Sequence, residues 1–193
     1  MINKDTTIIK YLLNNKTKEL NILNISKALK MDYKTAYSIV KRLEKKEIIA
    51  IEQFGNSNRL KLINKIHPLI FEAEYERRGE LLKNKNIKVM LSYFKNSLKP
   101  KCYVLLLFGS YAKKTQNQTS DIDLMFICSD GIEEQFEKEV LAVTGILPLP
   151  LHCLVFSDKQ FIEMINAKKS NVGQEALKNN VILYDIETYY ELI

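Results

Sequence analysis

The sequence predicts an α+β protein in two parts, and two observations carry that expectation. Over residues 1–65, apolar positions recur at helical spacing and then give way to two short β-prone runs around a turn-rich segment. From residue 100 onward, β-prone runs alternate with helical ones, the pattern of a mixed sheet flanked by helices. The 193 residues suffice for two small domains, each with its own core. The boundaries expected are a first domain over 1–65, connecting helices over 66–99, and a second domain over 100–193.

The first domain reads as three helices and a hairpin. Ile8, Ile9, Leu12 and Leu13 recur at helical spacing over Thr6 to Asn14, with Asp5 or Thr6 placed to cap the helix. A second, short helix covers Asn24 to Lys30, and Met31-Asp32 turns the chain into a third over Tyr33 to Lys46. There Ala36, Ile39, Val40 and Leu43 form one apolar stripe. Lys34, Thr35, Tyr37, Ser38, Lys41 and Arg42 fall mostly outside that stripe, toward solvent or a partner. Ile48 to Glu52 and Arg59 to Ile63 are β-prone, and the turn formers of Gln53 to Asn58 join them as a hairpin.

Residues 65–99 read as two more helices rich in large apolar residues, with Gly79 and Asn84-Lys85-Asn86 as break points and Pro100 closing the segment. So much apolar surface predicts packing on the second domain rather than a solvated linker. In that domain the expected order is a strand over Tyr103 to Phe108, a loop and short helix, a strand over Asp121 to Cys128, and a helix over Gly131 to Val143. A strand over Leu149 to Phe156 and helical runs from Asp158 follow.

Composition narrows the class. Hydrophobic residues at 46% and charged residues at 27% fit a folded globular chain. No apolar run approaches the roughly 20 residues needed to span a bilayer, and the N-terminus has no signal-peptide pattern, so a cytoplasmic protein without a membrane partner is expected. Cys102, Cys128 and Cys153 stand singly in apolar runs and read as reduced core residues. A net charge of +6 suits a polyanionic partner, nucleic acid or nucleotide.

Two short segments carry the chemistry. Val104 to Ala112 is a buried strand ending at Gly109-Ser110 and a helix start, where backbone can approach a phosphate closely and N–H groups and a hydroxyl can bind its oxygens. Ser120-Asp121-Ile122-Asp123-Leu124 places two carboxylates at alternate positions at the start of a strand, and so on one face. Two like charges so placed are best tolerated when they share a cation, and oxygen ligands at that spacing suit Mg²⁺. Two solvated aspartates capping a turn is the plainer alternative for the second segment taken alone.

Helix, helix-turn-helix and hairpin, in that order, resemble the winged helix-turn-helix family over about the first 65 residues. The resemblance implies double-stranded DNA as partner, the third helix in the major groove and the hairpin on the backbone. It assigns Lys34, Thr35, Tyr37, Ser38, Lys41 and Arg42 to the helix contacts and Arg59 and Lys61 to the wing. A solvated basic face is the alternative, and homodimerisation is left open.

Phe108-Gly109-Ser110-Tyr111-Ala112-Lys113 together with Ser120-Asp121-Ile122-Asp123-Leu124 resembles the signature of the polymerase-beta-like nucleotidyltransferases, closest to their minimal members, over residues 100–193. The resemblance implies that Gly109 and Ser110 bind the triphosphate of an NTP, taken as ATP. It implies that Asp121 and Asp123 hold up to two Mg²⁺ ions aligning an acceptor hydroxyl with the α-phosphorus. Lys113 and Lys114 either neutralise phosphate or form a solvated basic turn. Minimal members act beside helical partners in toxin-antitoxin pairs, so a protein acceptor or toxin partner is implied too.

Two departures qualify that likeness. Many members place a glycine where this chain has Lys114, and active members draw a third carboxylate from a neighbouring strand. Here the corresponding run, Leu149 to Phe156, contains no acid. His152 is its polar side chain, either a hydrogen-bonded core histidine or a member of the site able to take a proton. A DNA-binding regulator with a degenerate transferase domain is therefore the second reading.

Overall fold

The computed structural model describes residues 3–55, 57–63, 66–99 and 101–193. The chain divides into two compact units, Met1–Glu76 and Arg77–Ile193.

In the first unit, α1 (Lys4–Leu13), α2 (Ile22–Ala28) and α3 (Tyr33–Lys45) precede a hairpin of β1 (Ile49–Phe54) and β2 (Ser57–Leu62). That is the element order of a winged helix-turn-helix. Ile8, Ile9, Leu12, Ile25, Ala36, Ile39, Val40, Leu43 and Ile48 are buried and form its core, as the helical spacing predicts.

Three local details depart from expectation. α1 is capped by Asn3, whose side chain accepts from the Asp5 N–H, and it starts before both residues expected to cap it. Asp5 is instead buried and receives hydrogen bonds from the Arg42 guanidinium. α2 starts at Ile22 rather than Asn24, because Asn21 and Asn24 bond each other's backbone N–H reciprocally in a capping box. The hairpin ladder runs through to the pair Phe54↔Ser57, leaving only positions 55 and 56 between the strands. Gly55 there has φ +56°, as a tight hairpin turn demands. Asn56, Lys65 and Pro100, which the sequence reading used as turn, boundary and stop, lie outside the described residues. Leu20 adds a bridge to Leu60 on the free side of β2.

α4 (Pro68–Leu81) runs through Gly79 without a break. The helix ends before Asn84, whose side chain caps α5 (Lys85–Ser97) by accepting from Asn86 and Ile87 N–H groups. One glycine costs a helix about 1 kcal/mol, which its neighbours outweigh.

The second unit holds a four-stranded mixed sheet in the order β5-β4-β3-β6, from β3 (Tyr103–Leu107), β4 (Ile122–Cys128), β5 (Leu151–Ser157) and β6 (Val181–Tyr184). β4 pairs antiparallel with β3 and parallel with β5. β6, which interrupts the helical runs expected after Asp158, pairs antiparallel with β3. The short helix α6 (Gly109–Lys113) follows β3, and α7 (Glu133–Thr144) joins β4 to β5. α8 (Asp158–Asn166), α9 (Val172–Lys178) and α10 (Ile186–Leu192) complete the unit.

Met90, Leu91 and Phe94 of α5 and Phe136 and Val140 of α7 pack with Tyr103, Leu105, Leu124 and Phe126 as one core on one face of the sheet. α5 therefore belongs to this domain's packing, as its apolar content predicts. Cys128 is buried and Cys153 half-buried, whereas Cys102 is exposed, because it precedes β3, whose five residues are all buried. Burial pushes the Cys128 thiol up to about 11. Among the described residues no helix is long and apolar enough to cross a membrane.

Candidate nucleotide site and nucleic-acid interface

The site begins where β3 hands over to α6. Gly109 is buried with φ +64°, and a Cβ built on it would lie 2.0 Å from Asp123 Oδ2. Only a residue without a side chain can turn there, in a left-handed conformation and against a carboxylate. The Phe108 N–H donates to the Asp123 carbonyl at 3.0 Å, which ties the turn to β4. Ser110, the second residue of α6, is half-buried beside it.

Asp121 is presented differently. It precedes β4 instead of opening it, and it is exposed. The loop before it is locked: the Asn117 side-chain oxygen accepts from the Thr119 N–H and hydroxyl, and the Ser120 hydroxyl accepts from the Asn117 N–H. β4 begins at Ile122, whose N–H donates to the Pro150 carbonyl at 2.8 Å.

Within β4, Asp123 alternates with the core residues Ile122 and Leu124 and so lies on the opposite sheet face. The parallel register sets His152 directly opposite Asp123. His152 Nδ1 lies 3.1 Å from Asp123 Oδ1, with its side chain 57% exposed. That exposure removes the core-histidine alternative. Asp123 thus has one oxygen on the imidazole and the other against the Gly109 turn.

Lys113 Nζ lies 2.7 Å from Glu175 Oε1 of α9, a partner 62 residues further along the chain. Lys114 ends α6 at φ +58°, the left-handed conformation in which glycine is favoured. The difference from the family pattern at this position is therefore backbone strain carried by a lysine. Replacing Lys114 by Gly is expected to stabilise the domain by about 1 kcal/mol, read as a higher urea midpoint at unchanged slope.

A divalent cation fits this donor set. Asp121 and Asp123 supply hard oxygens, the donors a divalent cation prefers, and the Gly109 turn sits directly against Asp123 Oδ2. Among the described residues no cluster of three or more His, Cys, Asp or Glu is arranged to hold a metal, so bound phosphate and water would complete the coordination.

In the first unit the face of α3 expected to meet a partner is outside the core. Lys34, Tyr37, Ser38, Lys41 and Arg42 are exposed and Thr35 is half-buried. Tyr33 and Tyr37 stack with ring centroids 6.4 Å apart. Most of the cations are already paired: Lys41 with Glu44, Arg42 with Asp5, Arg59 with Glu19 and Lys61 with Glu52. Hydrogen bonds raise the pKa of Lys41, through Glu44, and of Arg42, through Asp5. A cavity of about 400 Å³ is lined by Lys34, Thr35, Ser38 and Arg42 together with Lys4 of α1. Lys4 precedes the first apolar residue of its helix, so no periodicity in the sequence marks it.

Comparison with protein families matches residues 89–189 to polymerase beta, nucleotidyltransferase. This is just over half of the chain, from within α5 to within α10, and the chain belongs to that family. Among solved structures it is similar to MepR, a transcription regulator of the Staphylococcus aureus multidrug efflux pump MepA, at 20% identity over 51% of this chain and 81% of that one, TM-score 0.36. It is similar to a toxin-antitoxin solved with AMP-PNP, at 20% identity over 56% and 79%, TM-score 0.38. A third likeness is to the archaeal chromatin protein TrmBL2, at 14% identity over 87% and 67%, TM-score 0.26. Comparison with curated proteins gives no match.

Proposed function

We propose that the chain transfers a nucleoside monophosphate from an NTP, taken as ATP, to a hydroxyl acceptor, and that its winged helix binds double-stranded DNA. The observation that carries the transferase half is the approach of Gly109 to Asp123, which joins a phosphate-binding turn to a cation-binding carboxylate. Gly109 and Ser110 bind the triphosphate through backbone N–H groups and a hydroxyl. Asp121 and Asp123 hold Mg²⁺, which when bound neutralises phosphate charge and stabilises the in-line transfer. His152, opposite Asp123, is placed to take the acceptor's proton, the task that a carboxylate performs in family members. Lys113 adds positive charge once it leaves Glu175. A hydroxyl on a partner protein, as in toxin-antitoxin pairs, is the acceptor that the family likeness favours.

The test is transfer of label from each of four α-labelled triphosphates, with Mg²⁺, to the protein itself or to co-purifying protein. Label is expected, and Asp121→Ala with Asp123→Ala should reduce it at least 100-fold, the scale on which loss of transition-state electrostatics acts. No label from any triphosphate would sink this half.

The second reading is a DNA-binding regulator whose transferase domain is degenerate. The acid-free β5 favours it, since His152 stands where a third carboxylate is expected. DNA binding itself is common to both readings. Lys34→Ala and Lys41→Ala are each expected to weaken DNA binding and to lower the slope of log affinity against log salt by about 1. An unchanged slope for both would remove α3 from the interface.

A further inference from the structure

β5 is an edge strand, paired on one side with β4 and, among the described residues, with no strand on the other. Its seven residues, Leu151–Ser157, contain no lysine, arginine or proline, the devices that usually guard an exposed edge. Leu151, Cys153, Leu154, Val155 and Phe156 are all only partly buried. Along the second half of this edge lies a cavity of about 560 Å³. Val155, Phe156 and Met164 give it an apolar lining, and four carboxylates line it as well: Glu133, Glu134 and Glu137 of α7 and Glu163 of α8. Among the described residues no lysine or arginine lines it. Oε2 of Glu133 is shielded from solvent with no hydrogen-bond partner among the described residues, a cost that a donor entering the cavity would relieve.

We propose that this groove takes an extended, lysine- or arginine-bearing segment of a partner protein as a fifth strand beside β5. The unpaired backbone of an edge strand supplies the main-chain hydrogen bonds of strand addition, and pockets for alternate side chains supply the selectivity. Alternation in the incoming strand sends one set of side chains to the Val155 face, where cationic residues meet Glu133, Glu134 and Glu137 of α7, and the other, apolar set to the Phe156 face. Nucleic acid is disfavoured because its phosphates would meet four carboxylates. A second copy of this chain would bring four carboxylates against four, and a lone metal ion leaves the apolar lining uncovered. The same strand carries His152, about 13 Å along from Phe156 at the rise of a strand, so a bound segment would run toward the Asp123–His152 pair. The binding claim does not depend on transfer taking place.

The experiment measures fluorescence anisotropy of the whole chain with labelled peptides of about nine residues, a strand's length. One alternates valine with lysine, one alternates valine with glutamate, and one is the valine-lysine peptide N-methylated at alternate amides. The valine-lysine peptide is expected to bind at least about tenfold more tightly than either of the others. The net charge of +6 opposes that preference everywhere except in such a groove. Glu134→Gln with Glu137→Gln and Glu163→Gln, all exposed positions that leave the core intact, should weaken it by a similar factor at unchanged melting temperature. Equal binding of the N-methylated peptide would exclude strand addition, and indifference to the glutamine variant would exclude this groove. Absence of binding would overturn the proposal outright. A concentration-dependent dimer that the peptide dissolves would overturn it by assigning the edge to a second copy.

Discussion

Replacing Gly109 by Ala is expected to silence nucleotide transfer as thoroughly as removing Asp123, although alanine carries no charge and deletes no ligand. Two effects combine. At φ +64° an L-residue with a Cβ pays about 1–2 kcal/mol of backbone strain. The new methyl would also stand 2.0 Å from Asp123 Oδ2 and 2.8 Å from its Cγ, inside van der Waals contact. The carboxylate must move, and with it the hydrogen bond to His152 and the geometry offered to a cation. A misplacement of about 1 Å in such a constellation costs on the order of 100-fold in rate. Transfer should therefore fall at least that far, while denaturation shows a loss of only a few kcal/mol and circular dichroism shows a folded chain. Near wild-type transfer by Gly109→Ala would mean that Asp123 does no chemistry beside this turn.

That Gly109-Ser110 and Asp121-Ile122-Asp123 belong together was legible in the sequence through their resemblance to the family signature, and the antiparallel pairing of β3 with β4 brings Gly109 against Asp123. The helical stripe of α3 and the core of the first unit were legible because burial follows a local period. What escaped the sequence depends on partners far along the chain or on competition between near-equivalent residues. Asn3, Asp5 and Thr6 can all cap a helix, and the choice of Asn3 follows from Asp5 being drawn inward to Arg42, 37 residues away. His152 could be read as core or site until the parallel register set it against Asp123. Glu175 has no sequence link to Lys113, and only the packing of the chain after β5 brings α9 to α6. Gly79 misled because a breaker in isolation is not a breaker within a helix whose neighbours pack.

Arg42 illustrates how such a long-range pair changes the meaning of an assignment. The sequence places Arg42 on the exposed face of α3 as a DNA contact, yet its guanidinium donates through Nε and Nη2 to both carboxylate oxygens of Asp5. Asp5 is only 7% exposed. A forked pair of this kind orients both groups, and losing the arginine leaves a buried carboxylate without its donor. Such an orphan costs about 1–3 kcal/mol, toward the lower end here because half of the Arg42 side chain is in water. Arg42→Ala is therefore expected to lower the urea midpoint of the N-terminal unit, whereas Lys34→Ala and Lys41→Ala leave it within about 0.5 kcal/mol of the parent. The double change Arg42→Ala with Asp5→Asn should recover part of the lost stability, because the neutral amide no longer demands a cation. Loss of DNA binding in Arg42→Ala alone then reports unfolding as much as contact. The interface is tested by whether the double variant, refolded and stable, still binds with the salt slope reduced by about 1. Full DNA affinity in that variant would leave Arg42 as a structural residue that ties α1 to α3.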